Sequence, residues 1–280
     1  MASVNWNAAI QYAGLVKIAE AVAPTGTYDQ SVIGLIQAAG YTFLQTLYAD
    51  DLATDIDCHA GDVVTFGFLA VSGAKELVAA IRGTDTILEW LHDCSFLMVP
   101  SPIPGTRGCT EDGFTAVYKS LRIGPANGTL AARDSIKSYL DTGVATCVTV
   151  CGHSLGGALA KLLTFDVGLN TSCHAPTIYT YASPRVGDHS FAESFNAAIP
   201  ASYRIANRQD LVPKLPPILP WPYEHVNTQY ELNPPPSKIQ PSIPCMHHLT
   251  TYLWLMAPLA EIATFPLDAN CISTGVTEHI

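Results

Sequence analysis

Residues 148–157 read VTVCGHSLGG. The run Val148-Thr149-Val150-Cys151 is β-branched and apolar, as in a short strand buried on both faces. From Leu155 onward small and aliphatic residues recur at three- and four-residue spacing, which predicts a helix. Ser154 stands at the junction, inside Gly152-His153-Ser154-Leu155-Gly156, a G-x-S-x-G pattern in the strand-to-helix setting of a nucleophile elbow. Such a turn strains the backbone at the serine. Gly152 and Gly156 remove the side chains that would clash with it, and Gly157 and Ala160 let the helix lie close on the sheet. The hydroxyl is then lifted clear, and amides at the helix N-terminus face an incoming carbonyl where negative charge develops. The plainer reading is a serine N-cap on a buried helix; a base and an acid downstream would weigh against it.

A serine hydroxyl attacks only when a base takes its proton. On an elbow the order along the chain is Ser, then Asp or Glu, then His. Of the later histidines, His174 falls in a loop, His189 opens a helix close to the elbow, and His279 is terminal. His225, His247 and His248 remain. Asp210 closes SYRIANRQD, a strand end, whereas Asp166 lies inside the elbow helix and Asp188 in a loop before another helix.

Around this centre, strands alternate with helices. NWNAAIQYAGLVKIAEAVA predicts a helix up to Pro24, and SVIGLIQAAGYTFLQTLYA a helix followed by irregular chain. DVVTFGFLAVSG and KELVAAIRG predict a hairpin, TAVYKSLR and LAARDSIKSYLDTG helices, TIYTYASPRVG a strand, and HLTTYLWLMA a late helix. Ten of the 20 prolines fall between Pro213 and Pro244, a long surface excursion. The alternation predicts an α/β fold with a mostly parallel sheet, in one domain over residues 1–280, since no change of composition divides the chain. A formal net charge of -10 argues against nucleic acid and against anionic membranes. No apolar stretch is long enough to span a bilayer, and the N-terminus reads without a signal peptide. Sequons at Asn127 and Asn170 lean toward secretion with the leader removed; a cytoplasmic location is the alternative. Cys147 and Cys151 are expected as buried thiols, and Cys94 with Cys109 and Cys245 with Cys271 as disulfide pairs. Cys245, His247 and His248 lack a second ligand pair at zinc spacing, so no metal and no cofactor is expected.

Six segments in order resemble the class 3 lipase family, the fungal-type triacylglycerol lipases with an α/β-hydrolase core. They are AIRGTDTILEWLHD from Ala80, DGF from Asp112, VTVCGHSLGGALAKLL from Val148, YASPRVGD from Tyr181, RIANRQDLVPKLP from Arg204 and YEHV from Tyr223. The resemblance runs from about Asp62 to Tyr252. It implies Ser154 as nucleophile, Asp210 as triad acid and, from MHHLTTY, His248 as base with His247 the runner-up. It also implies an oxyanion hole from the Leu155 amide and from Thr84 through its amide and its hydroxyl, with Asp93 holding that hydroxyl. His225 in YEHV matches a non-catalytic position. Residues at about 85–100 match a helical lid whose apolar side chains include Ile87, Leu88, Trp90 and Leu91. The implied activity is carboxylic ester hydrolysis, of triacylglycerols first, through an acyl-enzyme. A feruloyl or short-chain esterase, a phospholipase A1-type enzyme and a non-catalytic hydrolase-fold binder are the alternatives. The expected partner is a lipid or small ester met at a lipid–water interface, with Pro216, Pro217, Ile218, Leu219 and Trp221 lining an apolar groove.

Overall fold

The computed structural model describes residues 3–22, 26–50, 63–84, 96–123, 130–220, 222–226, 228–235 and 238–273. The chain opens with α1 (Trp6–Glu20), capped by the Asn5 side chain on the Ala8 amide, and α2 (Gln30–Ala38), capped by Asp29. Gly40, at φ 91°, ends α2. The next residues then form a ten-residue strand, β1 (Tyr41–Asp50), rather than irregular chain. Pairing explains the difference: β1 runs antiparallel along β2 (Val63–Ser72) from Tyr41 opposite Ser72 to Asp50 opposite Val63, and that partner comes from a distant segment. The expected hairpin follows, with β2 antiparallel to β3 (Glu76–Ile81).

Short strands β4 (Met98–Pro100) and β5 (Cys109–Glu111) precede α3 (Asp112–Ser120). Strands β6 (Arg122–Ile123) and β7 (Leu130–Ala131) lead to α4 (Ala132–Asp141), which stops before Gly143 at φ 71°. The VTVC run is the strand β8 (Cys147–His153), and the helix beyond Ser154 is α5 (Leu155–Asn170). There follow β9 (Thr177–Tyr181), β10 (Gly187–Asp188), α6 (His189–Ala198), β11 (Ser202–Asn207), β12 (Tyr223–Glu224), β13 (Gln229–Leu232), α7 (Ile243–His247) and α8 (Leu249–Met256).

Among the described residues the main sheet has the order β13-β11-β9-β8-β3-β2-β1-β6-β7. From β3 to β13 the neighbours are parallel, and the β1, β2, β6 and β7 edge is antiparallel. β8 is thus a central strand, covered on both faces, which is why its sequence is continuously apolar. Alternation divides the core. Leu77, Ala79, Ile81, Val148 and Val150 face α5 and α6, with Leu159, Leu163, Phe191 and Phe195. Val78, Ala80 and Cys151 face α1 and α8, with Leu15, Val16, Tyr252 and Met256. Among the described residues no helix is long and apolar enough to cross a membrane.

The cysteines divide along the same lines. Cys245 and Cys271 form the expected disulfide. Cys109 is a free thiol, and Cys94, its expected partner, lies outside the described residues. Cys151 is buried as expected, but Cys147 is exposed because it is the first residue of β8, before the sheet is covered.

Candidate active site

Ser154 adopts φ 56°, ψ −125°, a strained turn for a residue with a β-carbon. The surroundings hold it there. Its amide donates to the Tyr181 carbonyl at 2.9 Å, tying the turn to β9, and its carbonyl receives the Gly157 and Ala158 amides of α5. A β-carbon at Gly152 would lie 2.2 Å from the Gly156 carbonyl oxygen, and one at Gly156 would lie 2.3 Å from that of Arg82. Both glycines are therefore required by close approach of backbone to backbone. Leu155 is the first helical residue, so its amide has no acceptor within the helix and is available at the mouth of the turn.

The loop after β3 lies against the serine. A β-carbon at Gly83 would sit 3.1 Å from Ser154 Cβ, so Gly83 packs directly on the elbow and Thr84 follows it. Buried Arg82 fixes this loop by donating to the Gly83 carbonyl at 2.9 Å and to Val22, beyond α1, at 3.1 Å. Thr84 and the Leu155 amide are thus brought to the same end of the sheet as Ser154. Asp93 and the residues expected in a lid, Ile87, Leu88, Trp90 and Leu91, lie outside the described residues, as does Trp221.

Asp210 stands just beyond β11 and is fully buried. Its carboxylate accepts three hydrogen bonds: from His247 Nδ1 at 2.9 Å and the Tyr252 hydroxyl at 2.7 Å on Oδ2, and from the Val212 amide at 3.0 Å on Oδ1. The histidine that meets Asp210 is therefore His247 and not His248, which corrects the order expected from the MHHLTTY match. The chain breaks between the two. His247 ends α7, whereas His248, at φ −60° and ψ 135°, is the N-cap of α8. Its Nδ1 receives the Thr250 amide at 3.3 Å and lies 2.7 Å from the Thr250 hydroxyl. Capping turns the His248 ring away from Asp210.

With Nδ1 donating to the carboxylate, neutral His247 keeps a lone pair on Nε2. Among the described residues neither His247 Nε2 nor Ser154 Oγ has a hydrogen-bond partner, although both are buried. The Asp210–His247 hydrogen bond is formed, and none joins His247 to Ser154. Burial pushes the His247 imidazole below its ordinary pKa, and Asp210 offsets only part of this. A cavity of about 260 Å³ adjoins His247 and is also lined by Thr84, Lys17, Glu20 and His248.

The other candidates are occupied elsewhere. His225 Nε2 donates to the Pro213 carbonyl at 2.6 Å. Asp166 accepts from the Tyr118 hydroxyl at 2.6 Å and pairs with Arg133 at 3.3 Å. Asp188 caps α6. Sequence reasoning missed Tyr252, the second donor to Asp210, and the pair Glu20–His153 beside the base, at 3.1 Å. His153 was visible as the variable residue of the elbow motif; nothing in the local pattern marks Glu20.

A serine on a strained elbow, with an imidazole on a buried carboxylate at the same end of a parallel sheet, defines the α/β-hydrolase class. Residues 78–219 match the family model for lipase (class 3), and the chain belongs to that family. A rice (Oryza sativa subsp. japonica) relative, phospholipase A1-II 6, is 34% identical over 191 residues, covering 59% of this chain and 45% of the relative. The chain spans about half the length of the curated relatives it matches. The lipase from Rhizopus microsporus var. chinensis superposes with a TM-score of 0.62 at 23% identity, over 88% of this chain and 78% of that one. A triacylglycerol lipase described as having a serine protease triad at its catalytic centre gives 0.62 at 22% identity, over 81% and 79%.

Proposed function

We propose that this protein is a serine carboxylic ester hydrolase that cleaves acyl esters of glycerolipids through an acyl-enzyme. The observation that carries the reading is the buried Asp210–His247 hydrogen bond of 2.9 Å, together with a Ser154 hydroxyl on its strained elbow that has no partner among the described residues. His247 Nε2 takes the Ser154 proton as the oxygen attacks the ester carbonyl. Asp210, itself held by Tyr252 and Val212, fixes the tautomer and stabilises the imidazolium. The Leu155 amide and Thr84 stabilise the tetrahedral oxyanion. His247 then protonates the leaving alcohol, and water repeats the sequence on the acyl-enzyme.

For the substrate, the names of the relatives support a phospholipid acyl ester, and the solved triacylglycerol lipase supports the triacylglycerol reading. Contact with a lipid surface is supported by the loop beyond Asp210, where Leu211, Ile218 and Leu219 are exposed. Secretion is supported by the Cys245–Cys271 bridge, since disulfides persist in oxidising compartments. Alkylation that reaches these two cysteines without reductant would contradict that route. Initial rates on phosphatidylcholine vesicles, triolein emulsion and nitrophenyl acetate test the substrate, with Ser154→Ala as control. A higher rate on the vesicles is expected. A maximum on acetate with no turnover of either lipid would overturn the glycerolipid reading.

A further inference from the structure

A second carboxylate–imidazole pair lies against the base, and the reaction above does not use it. Glu20 is the last residue of α1, and its Oε1 is 3.1 Å from His153 Nδ1. His153 Nε2 is 2.8 Å from the backbone carbonyl oxygen of His247. The two imidazole rings lie with centroids 4.7 Å apart and planes inclined by 35°. Both neighbours of the His153 ring are oxygens that only accept, a carboxylate and a carbonyl. The ring is therefore held between two acceptors, one at each nitrogen.

The carbonyl that His153 engages is a demanding one. α7 is five residues long, too short to be stable alone, and His247 is its last residue. The final carbonyls of a helix have no intrahelical donor. The base thus sits at the end of a helix prone to fraying, and its own carbonyl is satisfied by His153. We infer that Glu20 and His153 are positioning residues, which hold the backbone of His247 so that its Nε2 keeps its direction toward Ser154. This rests on the hydrolase reading above. Glu20 orients the His153 ring and so couples helix α1 to the triad.

Among the described residues, charged and titratable groups reach the pair from α1, from the chain beyond β11 and from α8. Lys17 on α1 pairs with Glu20 at 3.3 Å. Asp210 beyond β11 holds the His247 ring, and Tyr252 on α8 has its ring 6.2 Å from His153. His248, the cap of α8, feels both Lys17 and Glu20. Burial pushes the Glu20 carboxyl up, but the hydrogen bond and charge of His153, with Lys17 added, hold it below the usual carboxylate range.

The test is kinetics of Glu20→Gln, His153→Gln and the double variant on a soluble nitrophenyl ester, with proton NMR of the imidazole N–H region. Each single change should lower kcat about 10- to 100-fold with KM nearly unchanged, the range for loss of precise positioning. The double variant should lose no more than the worse single one, because the two act as one unit. Wild type should give two strongly downfield N–H signals, from His247 on Asp210 and His153 on Glu20; Glu20→Gln should remove the second and shift the first. Glu20→Asp, which keeps the charge one methylene back, should regain part of the kcat. Wild-type kcat with an unmoved His247 signal in Glu20→Gln, or multiplicative losses in the double variant, would overturn the inference. Residual full activity in Ser154→Ala would instead overturn the hydrolase reading.

Discussion

Two carboxylate–histidine pairs stand side by side in this molecule, and they differ in one respect that decides what each can do. In Asp210–His247, one imidazole nitrogen is engaged by the acid and the other has no partner among the described residues. In Glu20–His153, both nitrogens are engaged, one by a carboxylate and one by a carbonyl. A ring with a spare nitrogen can accept a proton; a ring with none is a strut. The carboxylates differ accordingly. Asp210 is fully buried and accepts from His247, Tyr252 and Val212, an arrangement that holds negative charge opposite a transient imidazolium. Glu20 lies nearer the surface and is shared with Lys17. Chemical type does not separate the two pairs; the hydrogen-bond inventory does.

The largest expected effects fall on the pair with the spare nitrogen. Ser154→Ala and His247→Ala should each lower kcat by about six orders of magnitude, because nucleophile and base act as a unit. Asp210→Asn should cost about 10⁴, since the amide reverses the tautomer that leaves Nε2 free. Thr84→Gly keeps the backbone amide and removes the hydroxyl, so it tests that donor alone, whose loss costs roughly 10²–10³; a rate unchanged on a soluble ester would leave the amide as the only donor from Thr84. The pH profile should follow from burial of His247. Hydrolysis needs the unprotonated ring, and burial disfavours the imidazolium, so the acid limb of kcat/KM should fall below the ordinary histidine pKa of about 6.5. An acid limb above that value would contradict the buried-base geometry. The smallest effect concerns the covalent anchor near α7. The Cys245–Cys271 bridge closes a separation of 26 residues, and its reduction should cost about 3 kcal/mol in a denaturant melt.

Much of this was legible in the sequence, for a stated reason. The elbow could be read because local sterics dictate it: VTVC must be a buried strand, and only glycine fits at 152 and 156, where added β-carbons would strike backbone. Asp210 could be read because SYRIANRQD reads as a strand, here β11, with the aspartate just past its end. β1 was missed because its pairing with β2 spans a gap in sequence that periodicity does not see. The choice between His247 and His248 was missed because it depends on a one-residue break between two helices. There the capping preference of His248 for the Thr250 amide sets which ring turns toward Asp210. Glu20 was illegible for a similar reason: its partner lies 133 positions away and is met only once α1 packs on the sheet.

The two adjacent histidines provide the most direct test. Steady-state hydrolysis of a nitrophenyl ester by His247→Gln and His248→Gln, with matched thermal melts, assigns the base. The Asp210–His247 geometry predicts a loss of about six orders of magnitude in His247→Gln and, in His248→Gln, kcat within about tenfold of wild type. An active His247→Gln enzyme beside an inactive His248→Gln one would contradict it.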